Sequence, residues 1–169
     1  GSEMCIRDRI KIGLREMDKR FRTEGWGGRQ PGTSPHHEEI RNRTVGIIGY
    51  GHIGQEIAKR AAAFDMKIIA IRRSQQDAVA PLDWIGTIDR LDELLSESDF
   101  VVVACDMNDE TIGMIGAQQI AKMKADAIII NVARGRIIAE EALYNALKTK
   151  KIGGAVLEPL RLRLSPLRL

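Results

Sequence analysis

Residues 44–64, TVGIIGYGHIGQEIAKRAAAF, pass from an apolar run through three glycines into a pattern of helical period. Gly49, Gly51 and Gly54 stand at G-x-G-x-x-G spacing. Each glycine answers a separate steric demand. The first permits a tight strand-to-helix turn, the second lets backbone approach a pyrophosphate, and the third lets helix pack on strand. The helix N-terminus then offers unpaired N–H groups and a positive dipole end to phosphate. A tight turn that binds nothing would use the same glycines. The strand before and the helix after are what favour a dinucleotide-binding turn. The turn residues Gly49, Tyr50, Gly51, His52, Ile53 and Gly54 are therefore expected to contact a dinucleotide. His52 fills a variable position, with its backbone N–H expected toward the pyrophosphate and its ring toward solvent or phosphate. It is not read as a proton donor.

From Thr44 onward apolar runs alternate with amphipathic stretches. Strands are predicted at 45–49, 67–71 (KIIAI), 100–104 (FVVVA), 127–131 (AIIIN) and 153–157 (GGAVL). Helices are predicted at 53–64, around Leu91, Leu94 and Leu95, at 117–123, and at 140–148 (EEALYNALK), where acids at the start and lysine at the end match the helix dipole. The strands are apolar throughout, as expected of parallel strands covered on both faces. The alternation predicts an α/β fold, a doubly wound parallel sheet of Rossmann type, comprising a nucleotide-binding domain only.

That domain is placed at 44–158. Residues 1–43 read as a lead-in helix and loop: Ile6, Ile10, Leu14, Met17 and Phe21 fall on one helical face over 6–22, and GWGGRQPGTSP is a Gly/Pro-rich loop in which Trp26 is expected to pack on the domain. Residues 159–169 read as an irregular tail. Its RLRLSPLRL segment and the opening GSEMCIRDR differ abruptly from the body, with Gly1-Ser2 read as a cloning scar. Both ends are expected to be artefacts around a genuine domain, which resequencing the source gene would confirm or refute.

The net charge of +3 is uneven. Residues 1–43 carry 10 basic and 7 acidic residues, and 161–169 carry 3 arginines and no acid, so the body from 44 to 160 has a balance of −3. A mildly acidic body argues against a nucleic-acid-binding face. No apolar run reaches membrane-spanning length, and the polar start does not read as a secretory signal. Cys5 and Cys105 form neither a metal spacing nor a disulfide framework, so a reducing, cytoplasmic setting is expected. Cys105 reads as a small strand-end residue rather than a nucleophile. His36-His37 with Glu38-Glu39 reads as a solvated loop rather than a metal cluster.

The end of the second strand should deliver the residue that reads the adenosine ribose. An NAD site places Asp or Glu there. This chain has Arg72, Arg73 and Ser74, and no carboxylate before Asp77. Two guanidiniums and a hydroxyl suit a 2′-phosphate, which favours NADP over NAD. The alternative is a solvated pair of surface arginines. After the fourth strand, NVARGRII brings Arg134 to the carboxyl end of the sheet. There an arginine can hold a substrate carboxylate and polarise a carbonyl. A surface arginine capping the turn is the rival reading.

The segments TVGIIGYGHIGQEIAKR, DELLSESDFVVVACDMNDETIGMIG and MKADAIIINVARGRIIAEEALYNALKTKKIGGAVLE occur in an order that resembles the D-isomer-specific 2-hydroxyacid dehydrogenase family. The resemblance covers about residues 10–158. It implies an NAD(P)-dependent oxidoreductase that reduces a small 2-oxo acid such as glyoxylate or hydroxypyruvate, with Arg134 as the catalytic arginine. It implies that Cys105, Asp106 and Thr111 flank the cofactor, and that the backbone of Val132, Ala133 and Arg134 lies by the nicotinamide. It implies that Glu158 stands where the family has an Asp bonded to the nicotinamide amide. It also implies pairing of the full-length parent as a homodimer through this domain. The family's other catalytic groups, a Glu and the His whose pKa it raises, have no counterpart here, and neither does the substrate domain. The chain alone is therefore expected to bind dinucleotide without turnover. A non-catalytic or corepressor-like module on the same fold is the alternative.

Overall fold

The computed structural model describes residues 22–23 and 39–157. The predicted 6–22 helix up to residue 21, the 25–35 loop with Trp26, Cys5, His36, His37, Glu38, Glu158 and the 159–169 tail lie outside the described residues. The sheet and its helices belong to the unit that begins at Ile40.

Six parallel strands form one sheet: β1 (Thr44–Ile48), β2 (Lys67–Ile71), β3 (Trp84–Gly86), β4 (Phe100–Val103), β5 (Ile128–Asn131) and β6 (Gly154–Leu157), in the order β3-β2-β1-β4-β5-β6. Four α-helices lie between them: α1 (His52–Ala62), α2 (Leu91–Glu97), α3 (Ala117–Lys122) and α4 (Glu140–Lys148). The doubly wound parallel sheet is as expected. β2 and α4 agree with the sequence reading to the residue, and the other predicted elements shift by one or two positions.

Two shifts have clear causes. Gly49 leaves β1 with φ +101°, a left-handed conformation that ends the strand. After Ala62, α1 gives way to a turn closed by Asp65 at φ +54°, so the helix stops short of Phe64. The sequence predicts five strands and misses β3. This three-residue edge strand pairs Trp84, Ile85 and Gly86 with Ile69, Ala70 and Ile71. Its anchors lie outside the strand itself. Asp83 Oδ2 accepts the Ile68 N–H at 2.7 Å. The Arg90 guanidinium lies 3.9 Å over the Trp84 ring while pairing with Glu93.

The apolar strands bury both sheet faces. One face gathers Ile48, Ile69, Ile71, Val101, Val103 and Ile129 against Leu94 and Leu95 of α2, Ile120 of α3 and Leu143 of α4. The other face receives α1 through Gly54, Ala58 and Ala61. Ile47, Ile68, Ile69 and Ile129 are fully buried, each contributing about 1.5–3 kcal/mol of burial free energy.

The amino ends of the central strands are held by one buried carboxylate. Asp99 Oδ2 accepts the Thr44 N–H at 2.8 Å, and its Oδ1 meets Lys124 Nζ at 3.1 Å and Arg43 Nη1 at 3.4 Å. Its backbone also bridges strands, donating to Thr44 and accepting from Ile128. Burial alone would raise this carboxyl, but the Thr44 N–H and the two cations hold it below the ordinary aspartate range. A depressed folded-state pKa contributes stability that is full above the ordinary range and is lost as pH falls through the folded value. Asp99→Asn should lower unfolding stability in urea at neutral pH by about 1–3 kcal/mol, with the gap narrowing at acid pH. An unchanged midpoint would show that Asp99 does not hold these strands.

Candidate functional site

All six strands run parallel, so every loop that follows a strand emerges at one edge of the sheet. Strand order reverses between β1 and β4, and the loops after these strands diverge there. Open α/β folds bind ligands at such a switch point.

Gly49 packs at the base of the crevice. A Cβ on it would meet Cys105 Cα and N at 2.5 Å, so the β1 turn and the β4 loop touch backbone to backbone. A Cβ on Gly54 would meet the Gly49 carbonyl oxygen at 2.4 Å, which holds α1 tight under the turn. Gly51 differs: a Cβ there would meet nothing within 4 Å, so its small size serves no contact within the described residues. Gly51 is also the N-cap of α1, with no side-chain capping bond and no acid in the first turn. Helix geometry leaves the first N–H groups of α1 without intrahelical partners, and no carboxylate in the first turn competes for them. A glycine cradle over an uncapped eleven-residue helix suits a pyrophosphate. Tyr50 is half-buried beside the cradle, while His52 and Ile53 are exposed.

The flanking loops are built locally. At the end of β2, Arg72 is half-buried and donates to Gln76 Oε1. Arg73 and Ser74 are exposed, and no described residue hydrogen-bonds or ion-pairs with Arg73. After β4, Thr111 Oγ1 donates to the Asp106 carbonyl at 2.9 Å, and Asn108 Oδ1 accepts the Glu110 and Thr111 N–H groups at 3.0 Å. Sequence reasoning misses Asn108. Burial raises the Cys105 thiol, and the Asp106 charge pushes the same way against a backbone hydrogen bond, so this free cysteine is a thiol rather than an activated nucleophile.

After β5, Val132 N still donates to Val103 O at 3.1 Å, and then the chain leaves the sheet. Val132 and Ala133 are half-buried, and Arg134 is exposed with Nη1 donating to the Ala133 carbonyl at 3.0 Å. Asn131, which sequence reasoning also misses, is buried beneath this loop, with both ends of its amide bonded to it. The structure thus brings the glycine turn, residues 72–74, residues 104–111 and residues 132–134 to the same edge of the sheet.

This arrangement is that of a Rossmann-type NAD-binding domain. Residues 10–161 match the family model described as "D-isomer specific 2-hydroxyacid dehydrogenase, NAD binding domain". The chain belongs to the D-isomer-specific 2-hydroxyacid dehydrogenase family. It is 42% identical over 120 residues to a glyoxylate reductase of Thermococcus gammatolerans, an alignment covering 71% of this chain and 36% of that protein. The chain thus spans about a third of that relative's length. Its fold is similar to an acyclic imino acid reductase solved with NADPH and D-arginine, with TM-score 0.76, 33% identity, and coverage of 88% of this chain and 46% of that one. It is also similar to the NAD-complexed D-isomer-specific 2-hydroxyacid dehydrogenase of Lactobacillus delbrueckii ssp. bulgaricus, with TM-score 0.75, 32% identity, and coverage of 90% and 47%. Among the described residues, no helix is long and apolar enough to cross a membrane.

The glycines separate by role. Gly49→Ala should cost about 1–3 kcal/mol in chemical denaturation, because it forces a side chain into a left-handed backbone and against Cys105. Gly51→Ser should leave stability unchanged or raise it by up to about 1 kcal/mol, because serine is the better N-cap. Equal losses in both variants would show that the two glycines do one job.

Proposed function

We propose that this chain is the cofactor-binding part of an enzyme that reduces a small 2-oxo acid, glyoxylate or hydroxypyruvate, to the 2-hydroxy acid, with NADP preferred over NAD. The observation that carries this reading is the uncapped N-terminus of α1 beneath the Gly51 cradle, one strand away from the loop that bears Cys105 and two from the loop that bears Arg134. When bound, the nicotinamide supplies the hydride chemistry. The N–H groups at the start of α1 hold the pyrophosphate, with Tyr50, His52 and Ile53 around it. Arg73 and Ser74, with Arg72 behind them, bind the ribose 2′-phosphate as planar donors and a hydroxyl. Cys105, Asp106 and Thr111 form the adjacent wall. The backbone of Val132 and Ala133 supports the nicotinamide end. Arg134 binds the substrate carboxylate and polarises the carbonyl that becomes the hydroxyl.

This polypeptide alone binds dinucleotide without turning it over. Reduction also needs a proton donor at the carbonyl oxygen. His52, the only histidine among the described residues, stands exposed in the glycine turn. The parent enzyme pairs as a homodimer in a reducing, cytoplasmic setting, a reading that rests on the family resemblance and the free Cys105 thiol.

Fluorescence titration tests this reading. NADPH should bind the chain about tenfold or more tightly than NADH, and Gly51→Ser should weaken both by at least about tenfold. Equal or tighter NADH binding would refute the NADP preference, and no binding of either would refute the site. Glyoxylate added to the NADPH-loaded chain should leave the NADPH absorbance constant. A decay abolished by Arg134→Ala would show instead a complete enzyme.

A further inference from the structure

We infer that Asn131 is a positioning residue: its buried carboxamide shapes residues 132–134 and so sets the direction of Arg134 and of the backbone beside it. The inference rests on the cofactor reading above.

Asn131 is the last residue of β5, paired with Val103 on one side and Leu157 on the other. Past it the sheet supplies one more bond, at Val132, and the chain turns away. The Ala133 N–H and the Arg134 carbonyl then have no strand to pair with. Asn131 serves both, with Oδ1 accepting from Ala133 N at 2.9 Å and Nδ2 donating to Arg134 O at 2.9 Å. These partners determine how the amide is turned, because the reverse orientation would set donor against donor and acceptor against acceptor. The residue is 1% exposed at the end of a strand otherwise made of isoleucine. An aliphatic side chain would fill the same space but leave the Ala133 N–H unpaired and the Arg134 carbonyl with only the Ile137 N–H, at 3.2 Å.

The rest of this loop is supported differently. Gly113 N donates to Arg136 O at 2.8 Å, Ile115 N to Ile137 O at 3.1 Å, and Ala139 N to Ile115 O at 2.9 Å, forming a parallel bridge between Ile115 and Ile138. These bonds hold residues 136–139 against the segment that follows β4. They do not reach Ala133. Among the described residues the Arg134 side chain has only the Ala133 carbonyl as a hydrogen-bond partner, so its guanidinium follows the backbone that Asn131 holds.

Sheet order turns this local device into a specific one. β5 and β2 lie on opposite sides of the switch point. A dinucleotide that spans it rests its adenosine end near residues 72–74 and its nicotinamide end near residues 132–134. Asn131 therefore acts on the nicotinamide half alone.

The test compares NADPH with 2′-phospho-ADP-ribose, which is the same ligand without nicotinamide, by calorimetric titration of the 169-residue chain and Asn131→Ala. NADPH should bind the variant about tenfold more weakly, while 2′-phospho-ADP-ribose stays within about twofold. Equal weakening of both ligands, or of neither, would overturn the inference. A wild-type chain that binds neither would overturn the cofactor reading and this inference with it. Amide hydrogen exchange in the ligand-free wild type supplies a second readout, independent of whether the variant folds. The Ala133 amide should exchange at least about tenfold more slowly than that of Arg134. Equal exchange would show that Asn131 does not hold the loop.

Discussion

Strand β1 is hydrogen-bonded along both edges by parallel neighbours, β2 on one side and β4 on the other. The chain achieves this by crossing the sheet through α1 in one direction, then returning from β3 through α2 to the far side of β1. Every strand then ends at the same edge, and the loops after β1 and β4 part from each other there. The crevice follows from that topology before any ligand is considered. The glycines answer its consequences. Two backbones that diverge from adjacent strands must first touch, and Gly49 against Cys105 is that contact. Helix α1 must start directly beneath it, and Gly54 permits that approach.

The two ends of the sheet divide the work. At the amino end, acids placed just before strands close the ladders: Asp99 accepts from Thr44 at the start of β1, and Asp83 accepts from Ile68 in β2. Asp99 is buried, multiply bonded and held in its charged form. At the carboxyl end, by contrast, helix α1 starts without a side-chain cap, and Arg73 and Arg134 are exposed. One end stabilises the fold, and the other presents groups that folding itself does not use.

This division explains what is legible in the sequence. The apolar runs of β1, β2, β4 and β5, the helical period of α1 and α4, and the glycine spacing are local signals, and the structure follows them closely. β3 has no comparable signal. It is three residues long, preceded by a polar stretch with a proline, and exists because β2 offers it hydrogen bonds and Arg90 covers Trp84. The bounds of β1 and α1 move where a positive φ, at Gly49 and Asp65, interrupts a run that composition alone would continue. Asn131 reads in the sequence only as the end of a strand. A polar amide closing an isoleucine run and followed by a turn is the composition of a side-chain-to-backbone bridge. The Asn108–Thr111 pair carries a similar cue in N-x-x-T.

The proposed dinucleotide site draws on four loops from separate parts of the chain. Titration of the 15N-labelled chain with NADPH, followed by amide chemical shifts, tests it directly. Amides of residues 49–54, 72–74, 104–106 and 132–134 should shift along one saturation curve, while those around Asp83 and Asp99 should stay in place. Shifts centred on the amino end of the sheet, or loops that saturate at different concentrations, would contradict it.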